Sequence, residues 1–179
     1  MTNGLVVMTP SSIAYSGTSA SINADGSVVF SACSSLSLNG VFTGDYDNYM
    51  IVMRSTSGAD INLDIRMRVS GADNTTASSY VRQELYAIST TVSGSRVTSD
   101  KARFFVASSS NRNGSTGFLF GPFLAQPTAG RSIQAFGLNG AEIYDEAFTH
   151  NQSTSYDGFS FICSSSNASG LVTVFGFNQ

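Results

Sequence analysis

Short runs of β-branched and aromatic residues recur along the whole chain, and turn-forming residues separate them. Runs of this kind, bounded by Gly, Asn, Asp and Ser, are typical of β-strands. The predicted strands are Val28–Phe30, Met50–Met53, Ile61–Val69, Phe104–Val106, Phe118–Phe120 and Leu171–Phe177. No stretch of about ten residues keeps a helical apolar stripe without a Gly or a Ser/Thr cluster, so we expect no long helix.

Two of these runs also predict how their strands are placed. In Ile61–Val69, apolar and polar residues alternate, which predicts one face on the core and one wet face. In Leu171–Phe177, both faces are mostly apolar. We therefore expect that strand to be central in its sheet or covered by a neighbouring subunit.

The turn residues indicate how the strands are connected. An Asp-Gly pair at Asp25 favours a tight hairpin turn, and it predicts a hairpin between Ser19–Asn23 and Ser27–Ala32. Turn signals recur at short intervals along the rest of the chain, as in an all-β sandwich or barrel. We predict an all-β fold with a β-sandwich domain over residues 39–179 and an N-terminal arm and hairpin over residues 1–38, attached to the sandwich.

The charge of the chain excludes some partners. Charged residues make up 12% of the chain, the formal net charge is −3, and Lys101 is the single lysine, whereas about a quarter of the residues are Ser or Thr. No basic field is available to collect phosphates, so we expect no nucleic-acid partner. The apolar runs are too short to span a bilayer, so we expect no membrane insertion. Met1–Ala20 lacks a basic start and a long apolar stretch, so we expect no secretion signal.

The chain has two cysteines, Cys33 and Cys163. They form one bridge if their strands lie side by side, and otherwise they remain two buried thiols, which is the interpretation that we prefer. Two thiols are too few for a metal cage or a disulfide framework. Because no phosphate-binding loop, dinucleotide glycine pattern, zinc-helix motif or calcium loop occurs, we expect neither a metal nor a cofactor.

The sole histidine, His150, lies in a segment that also carries Glu142, Asp145 and Glu146. These groups have the chemistry to bind a cation or to act as acid and base. A solvated strand edge is the interpretation that we prefer, because carboxylates a few residues apart are common there. No serine-nucleophile elbow occurs, and the 12 acidic residues single out no glycosidase pair. We therefore name no catalytic residue and expect no enzyme.

The longest connection with few apolar residues is Ser70–Ser79, and we expect it to form an exposed tip. Asp73 and Asn74 carry groups that bind sugar hydroxyls, and Tyr80 carries a ring that stacks on a sugar face. These three residues are the candidate ligand-binding site. The alternative is that the Asp and Asn form a turn and that the tyrosine caps the core. Further aromatic candidates are Tyr86, Tyr144 and Tyr156.

Five stretches that run from near the start to near the end of the chain carry a resemblance to a known group. They are Gly4–Ala14, Ser37–Phe42 with Tyr46–Val52, Ile65–Thr76, Ser155–Ile162 and Gly170–Asn178. In this order they resemble a group of tailed-bacteriophage virion proteins that are described as minor tail, tail-fibre or decoration proteins. Ser89–Ala129 matches that group only loosely. The group shares no catalytic motif, so the resemblance supplies no active-site residues.

The resemblance implies a jelly-roll-like antiparallel β-sandwich, several copies in a virion assembled in the host cytoplasm, and a homotrimer. It leaves three functions open. In the first, which we expect, the protein forms a tail or fibre tip that binds a host-surface glycan or protein through Ser70–Ser79. In the second, it decorates the capsid or tail and binds only other virion proteins, through Met1–Asn23. The third is a glycan depolymerase. Apolar strands in a chain of low charge favour self-association in the first two cases.

Overall fold

The computed structural model describes residues 4–109, 113–136 and 142–178, and every regular element in these ranges is a β-strand. The strands are β1 (Val6–Val7), β2 (Ser12–Ile22), β3 (Val28–Asn39), β4 (Asn48–Ser57), β5 (Ile61–Val69), β6 (Ala72–Asp73), β7 (Tyr80–Ile88), β8 (Thr91–Ser99), β9 (Ala102–Ala107), β10 (Asn113–Phe120), β11 (Thr128–Phe136), β12 (Glu142–His150), β13 (Gly158–Cys163) and β14 (Ala168–Phe177). In these ranges no helix is long and apolar enough to cross a bilayer.

The strands join into one antiparallel sheet in the order β6-β5-β13-β3-β14-β4-β10-β11-β12-β7-β8, with β1 on β14, β2 on β3 and β9 on β5. Strand β3 changes neighbour along its length, because its first half pairs with β14 and its second half with β13. Ala32, with a φ of 47°, lies just before this change, where a bulge interrupts the pairing with β14. The sheet curls into a half-barrel, and the predicted all-β, sandwich-like fold is confirmed.

The core lies between the two walls of the curled sheet. Strand β9 belongs to one wall and packs against β10, β11 and β12 of the other. Phe104 of β9 meets Phe148 of β12 edge to face, with ring centroids 5.8 Å apart. It also lies directly over Gly117 of β10, where no larger residue leaves room for the ring. The largest completely buried side chains include Tyr49, Tyr80, Tyr156, Phe42, Phe104, Phe105 and Phe159.

The predicted placement of the last strand is confirmed, since β14 lies between β3 and β4. Val172 and Val174 are completely buried in the core. Phe175 and Phe177 are half-buried on the opposite face of the sheet. The strand is therefore central, and its second apolar face belongs to the outside of the molecule.

The predicted strand Ile61–Val69 is β5, but the prediction of a wet face on it is wrong. Asp64 and Arg68 are each only 8% exposed. Lys101 lies 2.9 Å from the Asp64 carboxylate, and Arg68 forms an ion pair with Asp73. Because each charge has a partner, this polar face is covered rather than solvated.

The hairpin predicted at Asp25 forms between β2 and β3. Gly26 takes a positive φ of 83° at the turn. The Asp25 carboxylate accepts hydrogen bonds from the backbone N–H of Ser27 at 3.0 Å and from its hydroxyl at 2.6 Å. Since β3 also pairs with β13 and β14, the hairpin is part of the sheet, and the division between residues 1–38 and 39–179 remains a prediction.

Both cysteines are free thiols. The Cys163 thiol donates to the backbone oxygen of Cys33 at 3.3 Å. Burial raises the pKa of Cys163 to about 11. The thiol is therefore protonated at neutral pH and is a poor nucleophile.

Candidate functional site

The segment Ser70–Ser79 begins as a tight turn in which Ser70 and Gly71 both have positive φ values, 52° and 79°. Strand β6 then pairs with the end of β5. Thr75 and Thr76 are exposed beyond β6. The base of this loop is thus held by the sheet, and its exposed tip presents hydroxyl groups.

The candidate residues Asp73 and Asn74 lie at the base of that loop, and both are half-buried. Asp73 forms an ion pair with Arg68 and accepts a hydrogen bond from the Ser160 hydroxyl at 2.7 Å. The Asn74 side-chain amide donates to the Tyr156 hydroxyl at 2.8 Å. Both side chains are engaged within the protein, and a ligand-binding role for them remains a prediction.

The third candidate, Tyr80, is completely buried. Its hydroxyl accepts a hydrogen bond from the backbone N–H of Met67 at 2.8 Å, and its ring stacks on His150 with centroids 4.1 Å apart. Burial raises the pKa of the phenol. In this structure the Tyr80 ring has no face open to a ligand, and it packs in the core beside the loop.

His150 is completely buried, and its Nε2 lies 2.7 Å from the Tyr156 hydroxyl. Burial lowers the pKa of His150 to about 4, while a backbone hydrogen bond with Ser79 acts in the opposite direction. The imidazole is therefore neutral at pH 7. It forms a polar pair with a phenol inside the core and does not reach the surface.

The acidic residues near His150 do not form one cluster, because Asp145 lies on the opposite face of β12 and Glu142 lies at the end of the strand. Glu146 points inward and is completely buried, whereas Asp145 points outward and forms an ion pair with Arg131 at 2.6 Å. Glu142 lies at the end of the strand, where its carboxylate accepts a hydrogen bond from Tyr144 at 3.3 Å. The interpretation of this segment as a solvated edge is wrong, because β12 lies between β11 and β7.

A buried charge network that the sequence analysis missed lies on the inner face of β7 and β12. Glu84 and Glu146 face each other across these strands. Arg82 donates to both carboxylates, at 2.9 Å and 3.0 Å. Arg103, from β9 of the opposite wall, pairs with both carboxylates as well, and its guanidinium lies 4.9 Å from the centre of the Tyr144 ring.

This network is closed to solvent at its centre. Burial raises the pKa of Glu146, while Arg103 and Arg82 act to lower it. Two guanidinium groups and two carboxylates balance each other, and Arg103 ties β9 to β7 and β12. The arrangement is suited to joining the two walls, because a buried ion pair persists only where charge and hydrogen bonding are both satisfied. In the described ranges no three His, Cys, Asp or Glu side chains come together to hold a metal.

The usual alternation of strands is inverted in this part of the sheet. Ser132 and Gln134 of β11 point inward and are buried, as is Glu146 of β12. Ile133 and Ile143, which occupy the alternate, outward-pointing positions of β11 and β12, are 57% and 58% exposed. Several polar side chains therefore lie inside, and large apolar side chains lie outside.

The inversion produces a surface that we call the outer apolar face, formed by the outward side chains of β10, β11, β12 and β7 and crossed by the ion pair of Arg131 and Asp145. Its large members are Phe118, Phe120, Ile133, Ile143 and Leu85. Phe177 of β14 extends it, because its ring meets Phe118 edge to face with centroids 6.3 Å apart. An open groove of about 420 Å³ runs between these phenylalanines and Ile133. Exposed apolar surface of this kind is typical of a site that binds another protein.

No protein-family model matches this chain, and no curated protein matches it.

Proposed function

We propose that this chain is a structural protein of a bacteriophage virion, which acts by binding other protein chains rather than by catalysis. The observation that carries the proposal is the inverted alternation of β7, β11 and β12. Buried polar groups and large exposed apolar side chains are the informative exceptions to normal burial, and together they favour a subunit whose outside is covered in an assembly. The phage setting rests on the resemblance of the five ordered stretches.

Within the virion, the first position that we propose is a tail or fibre tip that binds the host surface. The exposed tip of Ser70–Ser79 supports it, because the hydroxyls of Thr75 and Thr76 are able to bond with a glycan or a receptor protein while the base of the loop stays fixed. The resemblance favours three copies around one axis, which would present three such loops together.

The second position is decoration of the capsid or tail, and the outer apolar face favours it. A broad apolar sheet surface with an aromatic groove suits contact with a neighbouring virion protein better than contact with a polar glycan. In this position the protein binds other virion proteins only.

The proposed function is tested by immunogold electron microscopy of intact particles with an antibody against the purified chain. Labelling at one fixed place on the particle is the expected result, at the tail end for attachment or along the capsid or tail for decoration. For attachment, the purified protein should also bind susceptible cells and reduce phage adsorption. Particles without any label would reject a virion role.

A variant pair tests whether the outer apolar face is the contact surface. Ile133→Lys with Ile143→Lys should leave the fold intact and prevent incorporation into particles, because both side chains are more than half exposed. Val69→Lys, at an exposed apolar position on β5, is the control and should still be incorporated. Equal incorporation of all variants would argue against this surface as the contact.

The depolymerase alternative has its own test. Release of reducing sugar from host glycan by the purified protein would replace the binding role with an enzymatic one.

A further inference from the structure

The sheet has one edge that none of the usual devices protects. Proteins blunt free edges by keeping the edge strand short, by burying it, or with bulges, proline or several charges. Strands β1 and β6 have two residues each, β9 is buried along most of its six residues, and β2 is interrupted by a bulge between Ser16 and Gly17. These features protect four of the five free edges in the described part of the chain.

The fifth edge is β8, which pairs with β7 without interruption over nine residues and has no strand of the described ranges on its other side. It contains no proline and one charged residue, Arg96. Both of its faces are accessible, since Val92 is 66% and Val97 41% exposed. Alternate backbone N–H and C=O groups of β8 therefore point away from the sheet and lack a strand partner.

We propose that β8 is a pairing edge for a second copy of this chain, whose own β8 adds to it in antiparallel orientation. The strand is self-complementary for such pairing. With Ser95 at the centre, each Arg96 lies opposite a Gly94 and each Val92 opposite a Thr98. No two like charges then face each other directly, and the missing Cβ of Gly94 leaves room for the arginine.

The outer apolar face continues toward this edge, which favours a copy of the same chain over an unrelated strand. In the sheet register Ile143 lies beside Ala87, and Ala87 lies beside Val92 of β8. A second copy joined at β8 extends the same apolar strip across the contact. An isologous contact of this kind has a twofold axis, so it links two single subunits or one subunit from each of two trimers.

This inference rests on the proposed assembly role and specifies one of its contacts. Hydrogen–deuterium exchange of the purified chain, measured at low and high protein concentration, tests it directly. Backbone amides of Thr91–Ser99 should exchange more slowly as concentration rises, and those of the other long edge, Ser12–Ile22, should not. Unchanged exchange in Thr91–Ser99 while the protein associates would overturn the inference.

A matched pair of variants gives an independent result in sedimentation velocity. Val92→Lys places a charge on the edge strand and should weaken association at least tenfold. The sedimentation coefficient of this variant at high concentration should then stay at that of the unassociated species. Ile143→Lys, with similar exposure on the central strand β12, should associate as the wild type does at neutral pH, where the net charge of −3 opposes contacts through the outer apolar face. The reverse pattern would assign the contact to the outer apolar face instead. If β8 pairing fails while particles still label with the antibody, the inference is wrong and the virion role stands.

Discussion

Two neighbouring residues on β12 show how strongly the surroundings of a carboxylate determine its contribution to the stability of the fold. Glu146 is completely buried between two arginines, whereas Asp145 is partly exposed on the opposite face with Arg131. Removal of one member of a buried ion pair leaves an uncompensated charge, but an exposed pair is screened by water. The two residues form a matched comparison within one strand.

Glu146→Gln should lower the free energy of unfolding by about 3 kcal/mol, because Arg82 and Arg103 then lack part of their counter-charge in a buried site. Asp145→Asn should change it by less than about 1 kcal/mol. Urea unfolding of both variants and the wild type measures the difference. Equal effects of the two substitutions would mean that the inner network does not hold the walls together.

The buried imidazole of His150 predicts a loss of stability in mild acid. Its pKa is lowered from 6.5 to about 4 in the folded protein, so protons bind preferentially to the unfolded chain. The contribution of the neutral imidazole to the free energy of unfolding is complete above pH 6.5 and is lost as the pH falls toward 4. The full shift corresponds to about 3 kcal/mol.

Urea unfolding at intervals across this pH range, with His150→Gln beside the wild type, isolates that contribution. The variant should be less stable at neutral pH, because it loses the ring stack on Tyr80, but its stability should fall less steeply with acid. The carboxylates titrate in both proteins and cancel in the comparison. Parallel curves for the two proteins would contradict a buried neutral imidazole.

At the scale of elements, glycine positions on β10 decide how closely β9 approaches. A Cβ at Gly117 would overlap the Phe104 ring, whereas a Cβ at Gly114 meets open space. Gly117→Ala should therefore destabilise the protein by about 1–3 kcal/mol through overpacking. Gly114→Ala, on the same strand, should be neutral or slightly stabilising. Thermal unfolding of the two variants checks this, and equal melting temperatures would show that β9 and β10 separate at no cost.

Some of the strands were predictable from the sequence, because β-branched and aromatic runs between turn residues carry a local signal. The long strands β7, β8, β11 and β12 contain none of the predicted runs. Ile61–Val69 has the predicted bounds, and the hairpin at Asp25 forms as expected. Which face of a strand points inward was less predictable. For β5 the apolar side is inside, but the polar side is covered by ion pairs that join residues distant in the sequence.

For β7, β11 and β12, the hydrophobic pattern alone favours the wrong face, since Leu85, Ile133 and Ile143 point outward. Partner strands decide the orientation here, because Glu84 and Glu146 become acceptable inside only when Arg82 and Arg103 reach them. One sequence signal was available, because residues an even number of positions apart on a strand point to the same face. Arg82 and Glu84 therefore share a face with Tyr80, and Glu146 shares one with His150. Without the strand pairing, that parity does not identify which charges meet.

At the scale of the whole molecule, low net charge and the outer apolar face act together. The net charge is −3, and the sequence pI is about 4.9. Electrostatic repulsion between copies is weakest near that pH, so contacts between exposed apolar surfaces then have the least opposition. Self-association of the folded protein should therefore increase as the pH approaches 4.9.

The variant Ile133→Ser with Ile143→Ser should reduce light scattering near pH 4.9 severalfold, because it removes the two most exposed isoleucines of the outer apolar face. Tyr15→Ser with Val69→Ser, at exposed apolar positions on β2 and β5, is the control and should scatter as the wild type does. Circular dichroism of each sample separates association of the folded protein from acid unfolding through His150. If both double variants lower the scattering equally, general surface hydrophobicity rather than the outer apolar face controls association.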